Sequence, residues 1–351
     1  MATKRDKLHY TFRNIDGYQK TYNFVISERE AGKTTAMALD KVYKEFLRNG
    51  STSILIRRQI ADITEVYIDD FLEVIKKFYD NTPKFEYKRK GLKEGIVDVY
   101  ADGKRFLRIV ALSNPMSRIK SLILRNLRYI IFDEFICNQL MGEKYLVGEA
   151  FKFKELFNTF QRESSHLTCY FLGNPYSMYN PYFVDFDVDT KKIKRGTIYS
   201  NAKCVVECYE IKEELKKLIL KRNPLYQFDD SYTRYAFGGE AINDANIKQG
   251  TLQDNFKLQY IFRVEGKYLG IFEGTNLETL RFNYFVKFID DISKRRNVYC
   301  FDFQEMVERT ILLSYEDKMK FTRLKIAFRN REITYESINC YYLFEQVFLN
   351  I

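Results

Sequence analysis

The stretch YNFVISEREAGKTT, residues 22–35, decides the fold. Its first five residues are an apolar run of the length of a buried strand. The next nine contain Gly32, Lys33 and Thr34. A periodic segment follows at once, in which Ala36, Leu39, Val42, Tyr43, Phe46 and Leu47 recur at helical spacing until Asn49 and Gly50 stop it. A strand, a loop closing on Gly-Lys-Thr and a helix make up a phosphate-binding loop, whose full pattern is Gly, four residues, then Gly-Lys-Ser/Thr. Here Ser27 takes the first position. The residue types suit the chemistry. Gly32 lets backbone amides close around phosphate oxygens, and the positive end of the helix favours their charge. Lys33 is placed to neutralise β- and γ-oxygens, and Thr34, followed by Thr35, offers a hydroxyl to Mg²⁺.

The second half of such a site lies further along. In RYIIFDE, 128–134, an apolar run ends in Asp133 and Glu134. Ligands of parallel α/β sheets bind at the carboxyl ends of strands, where these acids would stand. Asp133 is expected to hold Mg²⁺ through water, and Glu134 to orient and polarise the attacking water. With a phosphate loop upstream, the pair predicts nucleotide hydrolysis. No Asn-Lys-x-Asp guanine signature is present, so ATP is favoured over GTP. Asn174, in FLGNP, is the candidate sensor of the γ-phosphate on a neighbouring strand; a turn residue before Pro175 is the alternative. Arg162, in LFNTFQRESS, is the candidate for the arginine that meets transition-state charge, often from an adjacent subunit. Arg29, inside the loop, is a second phosphate candidate. Each arginine read alone is equally a surface charge. His9 and His166 fit no pattern.

Outward from these motifs the chain alternates. SILI (53–56) reads as a strand, 62–79 as a capped helix, and 84–111 as antiparallel strands with a hairpin turn at 101–104. Residues 150–162 read as a helix and CYFLGNP (169–175) as a strand and turn. Strands alternating with helices argue a mostly parallel α/β sheet with helices on both faces. The character changes after about residue 185. A charged helix at 211–222 is followed by the strand-like runs KLQYIFRV, YLGIFEG, FNYFVKFI and NVYCFDF, then by helical segments. An ATPase domain over 1–185, a lid or linker over 186–250 and a smaller α/β domain over 251–351 are the expectation.

The 351 residues are 46% hydrophobic and 30% charged, which excludes a disordered chain. No apolar run of about 18 residues predicts a membrane span. MATKRDKLHYTFRN lacks the apolar core of a signal peptide, so a cytoplasmic protein is the default. Cys137, Cys169, Cys204, Cys208, Cys300 and Cys340 are scattered, and with only 2 His they read as buried thiols, not metal ligands. Lys and Arg number 57 against 47 Asp and Glu, a net charge of +10. Residues 76–128 hold 14 of the basic and 5 of the acidic residues, a net of +9. That concentration points to a polyanion, because phosphate contacts require clustered cations. KKIKRG, 191–196, is a second basic run.

Taken in order, NFVISEREAGKT, ILIRR, ALS before a basic loop, YIIFDEF, the FQRE arginine and the LGNP…NPYF run resemble the genome-packaging ATPases of phi29-like tailed phages, small relatives of the terminase large subunits. The likeness spans nearly the whole chain. The family's loop reads Gly-Ala-Arg-Gly-x-Gly-Lys-Ser, so the resemblance puts Arg29 on its loop arginine. It puts Lys33, Thr34, Asp133 and Glu134 on the phosphate, Mg²⁺ and catalytic positions, and Arg162 on the arginine that acts across the subunit boundary. TRYAFGGEAI (233–242) resembles the end of the terminase lid. The resemblance implies an ASCE P-loop ATPase domain followed by an RNase H-like domain without nuclease activity. It also implies a double-stranded DNA translocase, a homopentameric ring at the portal vertex of a procapsid in the host cytoplasm. Some members engage a packaging RNA as well. The residues agree on cleavage, since a two-metal nuclease needs three or four converging acids. KLQYIFRV has no interior acid; Glu265 sits at its turn, Asp302 on a later strand, and Asp290 and Asp291 at a strand end. Arg118 and Lys120, in the basic loop before YIIFDEF, are the candidates for a pore-facing grip on DNA. Arg57 and Arg58, ending the second strand, would serve the nucleotide edge or the DNA. Backbone contacts with little sequence readout are expected. Two other classes stay open: a terminase-like enzyme that also cuts DNA, and an ATP-regulated nucleic-acid-binding switch.

Overall fold

A computed structural model describes residues 8–89, 95–120, 124, 126–138, 141–162, 164, 166–223, 247–275, 282–290, 292, 297–314, 316–330 and 332–351. The chain divides into two units, residues 1–243 and 244–351. In the first, the apolar runs become β1 (Tyr22–Ser27), β2 (Thr52–Arg57), β3 (Phe85–Arg89), β4 (Ile96–Ala101), β5 (Lys104–Ala111), β6 (Leu127–Asp133), β7 (Thr168–Gly173), β8 (Thr197–Ser200) and β9 (Cys204–Tyr209). They form one sheet in the order β3-β4-β5-β2-β6-β7-β1-β9-β8. The central run from β5 to β9 in that order is parallel, and antiparallel hairpins close both edges.

Helices cover both faces, which is why the central strands are apolar on both sides rather than alternating. One face packs against a helix over 33–49, α1, wound as a π-helix over Met37–Tyr43, and against α2 (Glu65–Phe78). The short α3 (Met116–Lys120) follows β5. The other face packs against α4 (Glu149–Gln161) through Phe153, Leu156, Phe157 and Phe160, and against α5 (Pro181–Asp185). A last described helix, α6 (Glu213–Arg222), follows β9.

Residues 197–209 differ from expectation. Placed with the lid, they instead supply β8 and β9, and β9 pairs in parallel with β1 from Tyr22↔Cys204 to Ser27↔Tyr209. CVVECY is buried on both sides and so belongs inside a covered sheet. TRYAFGGEAI lies outside the described residues. All six cysteines are buried thiols. Among the described residues no helix is long and apolar enough to cross a membrane.

In the second unit β10 (Lys257–Val264), β11 (Lys267–Thr275) and β12 (Phe282–Phe288) form an antiparallel meander. β10 takes β13 (Val298–Cys300) as a parallel partner on its other side, β13 takes β14 (Thr310–Leu312), and β12 takes β15 (Ile333–Tyr335). The resulting order is β14-β13-β10-β11-β12-β15. α7 (Thr322–Arg329) precedes β15, and α8 (Ile338–Asn350) follows it, burying Leu343, Phe344 and Val347. Asp302 caps a short turn through the Gln304 amide, Glu265 accepts from the Gln346 side chain, and Asp291 lies outside the described residues.

Candidate nucleotide-binding site

The parallel order brings three strand ends together. β7 lies between β1 and β6, so the loop after β1, the acids ending β6 and the residue after β7 share one edge of the sheet. They enclose a cavity of about 450 Å³ lined by Arg29, Glu30, Gly32, Lys33, Thr34, Thr35, Asp133, Glu134 and Asn174. Two glycines make this approach close. Gly32 starts α1 at φ 85°, a left-handed conformation, and a Cβ there would meet His9 at 3.1 Å. A Cβ on Gly173 would meet the Phe135 ring at 2.8 Å.

Lys33 folds back over its own loop. Its Nζ donates to Ser27 O at 3.0 Å, Ser27 Oγ at 2.8 Å, Glu28 O at 3.2 Å and Asn174 Oδ1 at 3.0 Å. Ser in place of the usual Gly at position 27 thus gives the lysine an extra acceptor. Burial pulls the Lys33 pKa down to about 8, against the pull of Asp133, Glu28 and Glu134, which favour the charged form. The loop after β7 is tied to the phosphate loop a second time, because Arg29 Nη2 donates to Tyr176 Oη at 2.8 Å.

The two acids differ in burial and backbone. Asp133 is 6% exposed, and burial lifts its carboxyl to about 6, with Arg57 opposing and Glu134 adding to the rise. Glu134 takes a left-handed backbone, φ 59°, which turns its side chain out of the strand's alternation into a half-open position. Such a conformation costs a non-glycine residue about 1 kcal/mol. Arg57 Nη2 donates to Glu134 Oε2 at 2.6 Å, its Nη1 lies 3.5 Å from Asp133 Oδ2, and its guanidinium stacks over Tyr67 at 4.7 Å. Arg57 is thus held by the two acids that end β6 and by Tyr67. The hydroxyl of Thr34 and the buried carboxylate of Asp133 are hard oxygen donors facing one cavity, a set that fits Mg²⁺.

Arg58 needs correction as a DNA candidate. It is 7% exposed and spent inside the protein. Its Nε and Nη2 grip Glu149 at 2.9 and 3.1 Å, and Nη1 and Nη2 donate to the carbonyls of Glu134 and Phe135 at 3.1 and 2.7 Å. It holds the segment after β6 in place. Arg118 is exposed on α3 and does not line the cavity; the Lys120 side chain lies outside the described residues. Arg162 is exposed just after α4. Ser164 Oγ donates to Leu127 O at 2.7 Å and Arg128 donates to His166 O at 3.0 Å, which pins this segment to the start of β6. Asp133 is the other end of that seven-residue strand, so Arg162 stands roughly 20 Å from its own chain's cavity. Sequence reading missed Tyr67, Tyr176 and Glu149, none of which belongs to a local pattern.

A Gly-Lys-Thr loop on one strand, an acid pair two strands away and a polar sensor on the strand between define a P-loop nucleotide-binding fold of the ASCE class. The sequence matches, over residues 5–350, the family described as Podovirus DNA encapsidation protein (Gp16), and the chain belongs to that family. It is 26% identical over 335 residues to the DNA packaging protein of Bacillus phage PZA, covering 94% of each chain. The same figures hold for the DNA packaging protein of Bacillus phage phi29. Its structure is similar to a chain of the bacteriophage Phi-29 viral genome packaging motor assembly, with TM-score 0.69, 21% identity and coverage of 98% of this chain and 99% of that one. It is also similar to a chain of the Phi-28 gp11 DNA packaging motor, with TM-score 0.68, 18% identity and 99% coverage of both. These two likenesses establish the fold.

Proposed function

We propose that this chain is the ATP-hydrolysing subunit of a motor that packages double-stranded DNA into a phage procapsid. The observation that carries the reading is the meeting of Lys33, Thr34, Asp133, Glu134 and Asn174 at one cavity in a member of the encapsidation family. The loop amides and Lys33 hold the phosphates of ATP, Lys33 exchanging its loop carbonyls for phosphate oxygens. Thr34 and Asp133 would hold Mg²⁺, which would supply positive charge against the phosphates. Asn174, already bonded to Lys33, senses the γ-phosphate. Glu134, held by Arg57 through Oε2, acts as the base that orients water. Arg162 cannot reach its own cavity and serves the next copy's, so the copies stand head to tail in a ring, a pentamer on the family pattern. The ring works at the portal vertex of the procapsid in the host cytoplasm and grips DNA by its backbone. The second unit binds DNA or the portal.

Steady-state ATP hydrolysis with and without long double-stranded DNA tests this. DNA is expected to stimulate the wild type, while Glu134→Gln and Arg162→Ala each lose about a hundredfold or more. Mixing the two dead variants should restore turnover, because a site with an intact Glu134 then meets an intact Arg162. An Arg162→Ala variant with wild-type turnover and no response to DNA would sink the proposal.

A further inference from the structure

The phosphate loop carries a buried carboxylate that the chemistry above does not use. Glu28 is 1% exposed and stands where the phi29-like loop pattern has a small alanine. A negative charge inside an anion-binding loop opposes the phosphates unless something compensates it. Glu28 is compensated from outside the loop. Its Oε1 lies 2.5 Å from Arg195 Nη2, and its Oε2 accepts the Ile211 amide at 3.0 Å. Arg195 comes from the basic run 191–196, is 30% exposed, and lies 3.4 Å from Glu210 through its Nε. Ile211 follows β9 and leads into α6. On its backbone side the same Glu28 accepts Lys33 Nζ at 3.2 Å. One residue is thus bonded to the phosphate lysine through its carbonyl and to the β9 exit through its side chain.

We infer that Glu28 and Arg195 are a positioning pair for the phosphate loop. Arg195 supplies the charge that lets a carboxylate stay buried within the loop, and the Glu28–Ile211 bond fixes the loop to the segment opening α6. The inference rests on the reading of the cavity as an ATP site. Without Arg195 the carboxylate is left buried in the loop without its counter-ion; without either charge the loop carries no buried carboxylate to compensate.

The test uses the full chain, a fluorescent ATP analogue with Mg²⁺, and steady-state hydrolysis. Arg195→Met should raise the analogue's Kd and the KM for ATP by roughly tenfold or more, because it leaves a buried carboxylate without its counter-ion, with a smaller effect on kcat. Arg195→Lys should keep most of the affinity. Adding Glu28→Ala to Arg195→Met should bring the Kd back to within about twofold of Glu28→Ala alone. A double variant as weak as Arg195→Met overturns the pairing, since Arg195 would then act through Glu210 or elsewhere. So does an Arg195→Met variant with wild-type affinity. Should Arg195→Met not fold, recovery of folded protein by Glu28→Ala supports the pair, and no recovery overturns it. Failure of the wild type itself to bind the analogue would overturn the reading of the cavity instead.

Discussion

Lys33 is buried yet carries the charge that phosphates need, and burial holds its pKa at about 8. Phosphate oxygens favour the ammonium form, so binding lifts that pKa again. Binding at about pH 9 should therefore take up close to one proton at Lys33, and binding at about pH 7 very little; affinity should fall as pH rises through 8. Calorimetry in buffers of different ionisation heat reads this directly, and no uptake at about pH 9 would mean that Lys33 does not meet the phosphates. Glu30 lines the same cavity at φ 58°, where the family's loop has glycine. Glu30→Gly should stabilise the protein by about 1 kcal/mol in urea unfolding, by relieving the left-handed strain, and should lower the KM for ATP by removing a carboxylate from the cavity.

At the end of β2, consecutive arginines do different work because successive strand residues face opposite sides. Arg57 turns to the acids, and Arg58 turns inward to Glu149. Glu149→Ala would leave Arg58 buried without its counter-ion, and should cost about 3–5 kcal/mol by denaturant titration, far more than an exposed pair. The sequence displayed the strand, loop and helix of the nucleotide site because each is a local pattern. It did not display Arg58's role, since its partner lies on α4. The same holds for Arg108, one of the 14 basic residues of 76–128. It faces Asp98 across β4 and β5 at 2.5 Å, both residues being 1% exposed, so part of that positive excess is internal. β8 and β9 were misplaced for a related reason: whether a strand belongs to a sheet is decided by its partner, and β9's partner is β1, far back in the chain.

Across the whole molecule, the charge that remains outside predicts salt-sensitive DNA binding. The logarithm of affinity should fall linearly with the logarithm of salt concentration, and Arg118→Ala should reduce the slope by about one if Arg118 touches a phosphate. An affinity flat across salt would remove the electrostatic account. The order of the two units and the parallel sheet were legible in the alternation of apolar runs; the strand order was not, because it depends on which ends meet. The length of β6 between its start, where the segment after Arg162 is pinned, and Asp133 has a further consequence, for stoichiometry. If each working site draws on two neighbouring copies, diluting wild type with Glu134→Gln chains should leave working sites in proportion to the wild-type fraction. Diluting it with chains carrying both Glu134→Gln and Arg162→Ala should leave them as the square of that fraction, because one defective chain then silences the site on either side of it.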